Sequence, residues 1–280
     1  MRPCWAGHER RGKGSIWPHA TESPAGMGKI EGFGRMSSTD KTLVTIASFN
    51  EIESLPKLVE GIFRAAPQVD VLVIDDNSPD GTGDWCDRRA AEDPRLRCLH
   101  RQQKLGLGSA IVAGMQYAIQ HEYRYVVNLD ADLSHSPQYL QDLLTGMEPA
   151  DGPPVDVMIG SRYVPGGRVE GWPVRRHLMS RAVNLCARCL LGLGPRDCSG
   201  SYRCYRTEAL ARLDLGKIRS RGYAFFEEIL WLLKRQGAQF GEVPITFVER
   251  RCGTSKISFR EAVAAIWTIF RLGLTNWLGF

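Results

Sequence analysis

Apolar positions fall into a regular alternation only from Lys41 onward. Leu43-Val44-Thr45-Ile46-Ala47 reads as a strand. Glu53 to Ala66 carries Leu55, Leu58, Val59, Ile62 and Phe63 at helical spacing. Val69 to Ile74 is a second apolar, β-branched strand closed by the turn cluster Asp75 to Gly81. The alternation continues with a helix over Gly83 to Asp93 and a short strand over Leu96 to Leu99. A helix entered through glycines then spans Ser109 to Gln120, and strands follow over Tyr125 to Leu129 and Val155 to Ile159. Strands separated by helices of this length predict βαβ units and a mostly parallel sheet. The expected fold class is therefore α/β, Rossmann-like, with flanking helices.

The second half has a different texture. Val174 to Leu191 predicts a helix with Leu178, Ala182, Val183, Cys186, Cys189 and Leu190 on one side. Gln239 to Val248 reads as one strand, and Arg260 to Leu278 as a last apolar helix. Phe259, Val263, Ile266, Trp267, Phe270 and Leu274 recur along that helix at helical spacing, with Trp277 beyond. Such a face suits either the core or a membrane interface, where aromatic and cationic side chains collect. No linker interrupts the chain, so residues 41–280 are expected to form one domain. Its nucleotide half runs to about residue 162, with an acceptor half over 163–280.

Residues 1–40 show neither period and are rich in Gly, Pro, Ser, Arg and His, which predicts a disordered N-terminal extension. Met27 and Met36 are alternative starts, and Glu9, Glu22 and Glu31 argue against a transit peptide. Eight cysteines in 280 residues do not make a disulfide scaffold. With no apolar run long enough to span a bilayer, the expected setting is cytoplasmic. The net charge of +5 admits phosphates or acidic lipid but does not call for nucleic acid.

Candidate chemistry gathers where the first four strands end. The segments are Ser48-Phe49-Asn50-Glu51, Asp75 to Thr82, Lys104-Leu105-Gly106-Leu107-Gly108, and Asp130-Ala131-Asp132. Open α/β sheets bind ligands at this edge. Acidic side chains there can meet base and ribose hydroxyls, and a D-x-D pair offers hard oxygen ligands for a divalent ion beside a diphosphate. Gly106-Leu107-Gly108 lacks the third glycine of a dinucleotide fingerprint, and no phosphate-binding P-loop is present. Cys186, Cys189, Cys198 and Cys204 could be read as zinc ligands. The first pair lies inside a predicted helix, so small buried hydrophobes are the better reading. His135 is read as a metal ligand or a backbone-positioning loop residue, Glu228 as facing sugar or acceptor, and Glu227 as plain surface.

These segments, with Gly160 to Tyr163, Ser199 to Arg203, Gly241 to Ile245, Phe247 to Arg250 and Gly253 to Lys256, resemble those of the inverting GT-A glycosyltransferases of family two. More closely, they resemble the dolichol-phosphate (polyprenol-phosphate) mannose synthases over about residues 42–278. The resemblance implies a GT-A fold and transfer of mannose from GDP-mannose to a polyprenyl phosphate with inversion, giving a β-linked product. Another nucleotide sugar such as UDP-glucose, a non-catalytic nucleotide-sugar binding subunit and a redox Rossmann enzyme stand as alternatives. Carried over, it implies that Ala47, Phe49, Glu51, Ile74 and Asp76 line base and ribose. Ala47 stands where the family has Pro, and Phe49 where it has Tyr, which removes one hydroxyl. Asp130, Ala131 and Asp132 would meet the diphosphate, with Asp132, Asp130 and Ser134 on Mg2+ or Mn2+. Arg162, Arg250 and Lys256 would hold phosphates and, with Asp132, form the catalytic set, although Arg250 and Arg251 read alone are a solvated basic edge. Arg176 and Ser180 would sit by the acceptor phosphate. The lipid acceptor implies peripheral attachment at the cytoplasmic membrane face, and a membrane-tethering partner is compatible with it.

Overall fold

A computed structural model describes residues 41–218, 220, 222, 224–249 and 259–278, with side chains of 259–264 and 276–278 outside that description. The first half follows the alternation. Strands β1 (Thr42–Ser48), β2 (Asp70–Asp75), β3 (Leu96–His100) and β4 (Tyr125–Asp130) are joined by helices α1 (Leu55–Ala65), α2 (Thr82–Glu92) and α3 (Leu107–Gln120). All three pairings among these strands are parallel. Buried Leu43, Val44 and Ile46 in β1 and Val71 to Ile74 in β2 explain the near-continuous apolar runs, because helices cover both faces of such a sheet.

Beyond β4 come α4 (Leu140–Gly146), β5 (Val157–Ser161), β6 (Arg168–Glu170), α5 (Val174–Leu191), β7 (Arg203–Arg206), α6 (Thr207–Ala211), α7 (Phe225–Arg235), β8 (Phe240–Pro244), β9 (Thr246–Val248) and α8 (Phe259–Leu278). The seven-stranded sheet has the order β3-β2-β1-β4-β7-β5-β8. Strand β7 runs antiparallel to both β4 and β5, so the sheet is mostly rather than wholly parallel. The single strand expected over 239–248 is in fact two. β8 joins the main sheet beside β5, while β9 pairs with β6 in a separate two-stranded sheet. Pro244 ends the first and Ile245, buried, lies between them.

Side-chain size fixes several distances. A Cβ on Gly114 of α3 would meet Thr45 Cγ2 at 2.9 Å, so α3 can lie on β1 only without one. Met158 of β5 is clamped between glycines of α4 and β8. A Cβ would come 2.6 Å from its Cε at Gly146 and 2.4 Å at Gly241. At the far end α5 packs on α8, where Gly273 approaches Leu190. In α5 the buried positions are Val183, Asn184, Ala187 and Leu191, whereas Leu178 is exposed. Of the apolar side expected from spacing, Val183 is buried and Cys186 and Leu190 pack partly against the core, while Leu178, Ala182 and Cys189 face solvent. Helix α8 divides its residues. Ala265, Ile269 and Leu272 are buried, while Ile266, Trp267, Phe270 and Leu274 are exposed. No described helix is long and apolar enough to cross a membrane.

Candidate active site

Strand register brings the predicted residues together. Ala47 lies opposite Ile74 on one side and Asp130 on the other, which makes one row across β2, β1 and β4. Asp76 follows as the first residue past β2, and its backbone N–H donates to Ser48 O at 3.0 Å. The loops beyond are tightly cross-tied. The Asn50 N–H donates to Ser78 Oγ at 2.9 Å, the Glu51 N–H to Thr82 Oγ1 at 3.1 Å, and the Ile52 N–H to Asp80 Oδ2 at 3.1 Å. Glu51 Oε2 accepts from Ser54 Oγ at 2.8 Å. Asp76 is ion-paired with Arg101, which also donates to Ser109 Oγ at 2.8 Å. Lys104 Nζ sits 4.0 Å above the Phe49 ring, so a cation covers one face of the ring expected to stack on a base.

The D-x-D turn is held from both sides. Asp130 Oδ2 accepts from Ser201 Oγ at 2.6 Å and lies 3.5 Å from His135 Nδ1. Asp132 Oδ1 accepts the Ser134 N–H at 3.0 Å. Between them Leu133 has φ of 62°, a left-handed conformation unusual for a branched side chain. The Val248 N–H donates to Ser134 O at 3.1 Å, and His135 bridges Phe247. The small C-terminal sheet therefore clamps the turn, and the strained backbone persists because its surroundings over-determine it. Ser134 Oγ is buried with no hydrogen-bond partner. With the two carboxylates nearby, that orphaned oxygen fits a hard cation of the magnesium or manganese class. Burial holds the His135 imidazole below its ordinary pKa, despite Asp130 and Asp132 pulling the other way. His135 is buried, and its backbone bridge to Phe247 supports the backbone-positioning reading.

Beside these acids lies a cleft bounded by α5, α7, α8 and the segment 199–201. Asp130, Asp132, His135, Arg162, Trp172, Arg176, Ser180 and Val183 are among the residues that line it. Arg162 is buried and makes a bidentate pair with Asp197, with Nε and Nη2 each 2.7 Å from a carboxylate oxygen. Burial works against both charges, but each partner outweighs it, keeping Asp197 below and Arg162 above their usual ranges. Arg162 also stacks near Trp172 and Phe247. Arg176 pairs with Glu249 at 2.5 Å and lies 4.2 Å over Trp172. Ser180 Oγ accepts from Tyr163 Oη at 2.7 Å. Arg250 and Lys256 lie outside the described residues.

Glu227 corrects the surface expectation. It is 1% exposed, lines the same cleft, and its Oε2 has no hydrogen-bond partner. Burial raises its pKa to about 7. Glu228, also buried, accepts the Ser220 N–H at 2.8 Å, so it braces the loop before α7. Sequence reasoning also passed over Arg101 and Asp197. Both are ordinary charges until a partner distant in sequence buries them. Ser201, Lys104 and Glu249 lay within quoted segments without a role. Among the described residues Cys186, Cys189, Cys198 and Cys204 do not gather into a metal-holding group.

The profile of the family described as Glycosyl transferase family 2 matches residues 43–214. An undecaprenyl-phosphate mannosyltransferase of Micrococcus luteus is 45% identical over 85% of this chain and 97% of its own length. A polyprenol monophosphomannose synthase of Mycolicibacterium smegmatis is 43% identical over 84% of this chain and 88% of its own. Among solved structures, glucosyl-3-phosphoglycerate synthase from Mycobacterium tuberculosis, in complex with Mn2+, uridine diphosphate and phosphoglyceric acid, superposes with a TM-score of 0.60. That likeness is at 18% identity and covers 85% of this chain and 78% of the other. It bears on the fold, and the expected GT-A architecture is the one observed.

Proposed function

The chain belongs to glycosyl transferase family 2, and from that premise we propose that it transfers mannose from GDP-mannose to a polyprenyl phosphate, inverting the sugar carbon. The observation that carries this reading is one continuous path. It begins at the row Ala47–Ile74–Asp130, passes Asp132, and enters a cleft lined by Arg176 and Ser180. A donor nucleotide fits the sheet edge, with Phe49 under the base and Glu51 and Asp76 toward the ribose. An acceptor phosphate fits the cleft beside Arg176.

Asp130, Asp132 and Ser134 would hold Mg2+ or Mn2+, which when bound stabilises a departing nucleoside diphosphate as a Lewis acid. The protein's own task is orientation and charge. A polyprenyl phosphate is already an anion, so its attacking oxygen needs no strong base. It needs a cationic, dry surface that lets two anions approach in line. Arg176 supplies a guanidinium held rigid by Glu249 and Trp172. Arg162 adds a fixed charge in the cleft, largely offset by Asp197. The larger share of phosphate neutralisation then falls to Arg250 and Lys256. Ser201 and His135 keep Asp130 turned toward the donor.

The exposed Val174, Leu178 and Leu185 of α5 and Trp267, Phe270 and Leu274 of α8 support contact of this end with a membrane surface, where the lipid tail remains. The test is direct. Purified protein is given radiolabelled GDP-mannose or UDP-glucose with a short polyprenyl phosphate, with and without chelator. Lipid-linked mannose from GDP-mannose, lost on chelation and restored by Mg2+ or Mn2+, is the expected result. Transfer from UDP-glucose alone would move the assignment to the runner-up, and product formation undiminished by chelation would remove the metal.

A further inference from the structure

Helix α5 borders a second pocket that shares no lining residue with the cleft. Tyr163, Arg181, Asn184, Leu185, Arg188 and Arg196 line this open depression of about 510 Å³. Helix α5 contains four arginines and no acid. Val174, Leu178, Arg181, Leu185 and Arg188 follow one another at steps of four and three, so they share one face. All five are exposed, Leu185 by 60%, while Val183, Ala187 and Leu191 are buried on the other side. Among the described residues no acid pairs with the guanidinium of Arg181, Arg188 or Arg196. The two acids beside Arg196 are engaged elsewhere. Asp197 pairs with Arg162, and Glu242 accepts the backbone N–H groups of Arg196 and Asp197 at 2.8 and 3.0 Å. The remaining polar atoms of the lining are engaged too. Tyr163 Oη donates to Ser180 Oγ, Asn184 Nδ2 donates to Ser180 O at 2.8 Å, and Asn184 Oδ1 accepts the Cys198 N–H at 2.6 Å. What the pocket offers a ligand is three guanidiniums beside an exposed leucine.

We propose that this pocket binds the phosphate headgroup of an anionic membrane lipid. Guanidiniums hold phosphate oxygens through paired, charge-assisted hydrogen bonds. A helix face that interleaves arginine with leucine suits both layers of a membrane interface, cations at the headgroups and apolar side chains below them. The apolar members decide the source of the phosphate. A soluble anion gains nothing from Val174, Leu178 and Leu185, whereas a bilayer buries all three. The site rests on the membrane contact of α5 and α8 proposed above, and it makes that contact depend on lipid charge. It is also tied to the cleft. Tyr163 and Asn184 bond Ser180 and Ser199, which line the cleft from the other side. Capture of a headgroup therefore sets the depth at which Arg176 and Ser180 meet a lipid phosphate.

Cosedimentation of the full-length protein with two kinds of vesicle tests it, phosphatidylcholine alone and phosphatidylcholine equimolar with phosphatidylglycerol. The unaltered protein should bind the mixed vesicles more tightly, an advantage that high salt removes. Arg181→Gln, Arg188→Gln and Arg196→Gln should each weaken that binding roughly 5-fold, and the triple variant by on the order of 100-fold. Binding to the neutral vesicles should not change. Arg88→Gln in α2, a helix that packs on β2 and β3, removes one charge elsewhere and should leave both affinities unchanged. Transfer to a short, detergent-dispersed polyprenyl phosphate shows that each variant is folded. Equal binding to both vesicles, an undiminished preference in the triple variant, or an equal loss in Arg88→Gln would overturn the proposal. Release by dilute glycerol phosphate at constant ionic strength would assign the pocket to a soluble phosphate and overturn it too. Binding to neither vesicle would remove the membrane contact itself, and the lipid site with it.

Discussion

The two halves of the main sheet carry charge in different ways. In β1, β2 and β4 the strands are mostly apolar and the acids stand at or just past their ends, where loop hydroxyls, Arg101 and solvent satisfy them. From β5 onward charge goes inside: Arg162 pairs with Asp197, Arg203 donates from full burial to Phe226 O and Cys198 O, and Glu227 sits in the cleft wall. The first half can therefore be assembled from local rules, with its chemistry added at the rim. The second half builds its cleft out of ion pairs that also hold the fold, so binding and stability are not separable there.

Breaking the buried pair should give the largest effect. Asp197→Ala leaves Arg162 uncompensated and should cost about 3–5 kcal/mol in chemical denaturation. Loss under 1 kcal/mol would mean the second half tolerates unpaired charge as the rim does. At the rim the expectation reverses. Asp132→Ala should leave the denaturation midpoint nearly unchanged yet lower kcat by about 10²–10³ in the labelled-lipid assay, the scale for removing a transition-state electrostatic group.

Glu227 sharpens the contrast through pH. Its folded pKa of about 7 exceeds the ordinary value of 4.5, so the fold favours the protonated form. Its contribution to stability is full below about pH 4.5 and is lost as pH rises through about 7. Glu227→Gln should flatten that slope and stabilise the protein at pH 8 by up to about 3 kcal/mol. Parallel pH–stability curves for the two proteins would remove the buried-acid account. The smallest change belongs to the rim. Phe49→Tyr restores a phenol hydroxyl beside the proposed base pocket and should tighten nucleotide binding by about 0.5–1.5 kcal/mol, readable by calorimetry.

The same division explains what could be read from the chain. Apolar runs of five or six residues ending in Ser48, Asp75 and Asp130 declare both a strand and its exit. Parallel pairing then aligns Ala47, Ile74 and Asp130 without further information. Strand β7 gave no such signal. Its sequence Arg-Cys-Tyr-Arg is polar by composition, and Arg203 is buried only because carbonyls of residues 198 and 226 reach it. Glu227 looked like surface for the same reason: a carboxylate's burial depends on what the rest of the fold packs over it. The break at Pro244 was visible as a residue but not as a change of sheet, since β9 finds its partner some eighty residues earlier in β6.

The clamp of Gly146 and Gly241 on Met158 has a consequence for heredity. Three codons far apart in the gene specify one steric fit, so their substitutions are coupled. A side chain acquired at Gly241 would press on the Met158 thioether at 2.4 Å. The same change displaces nothing there once position 158 has been shortened. Because the thioether end is flexible and can give way, the order of these changes sets their cost rather than whether they can occur.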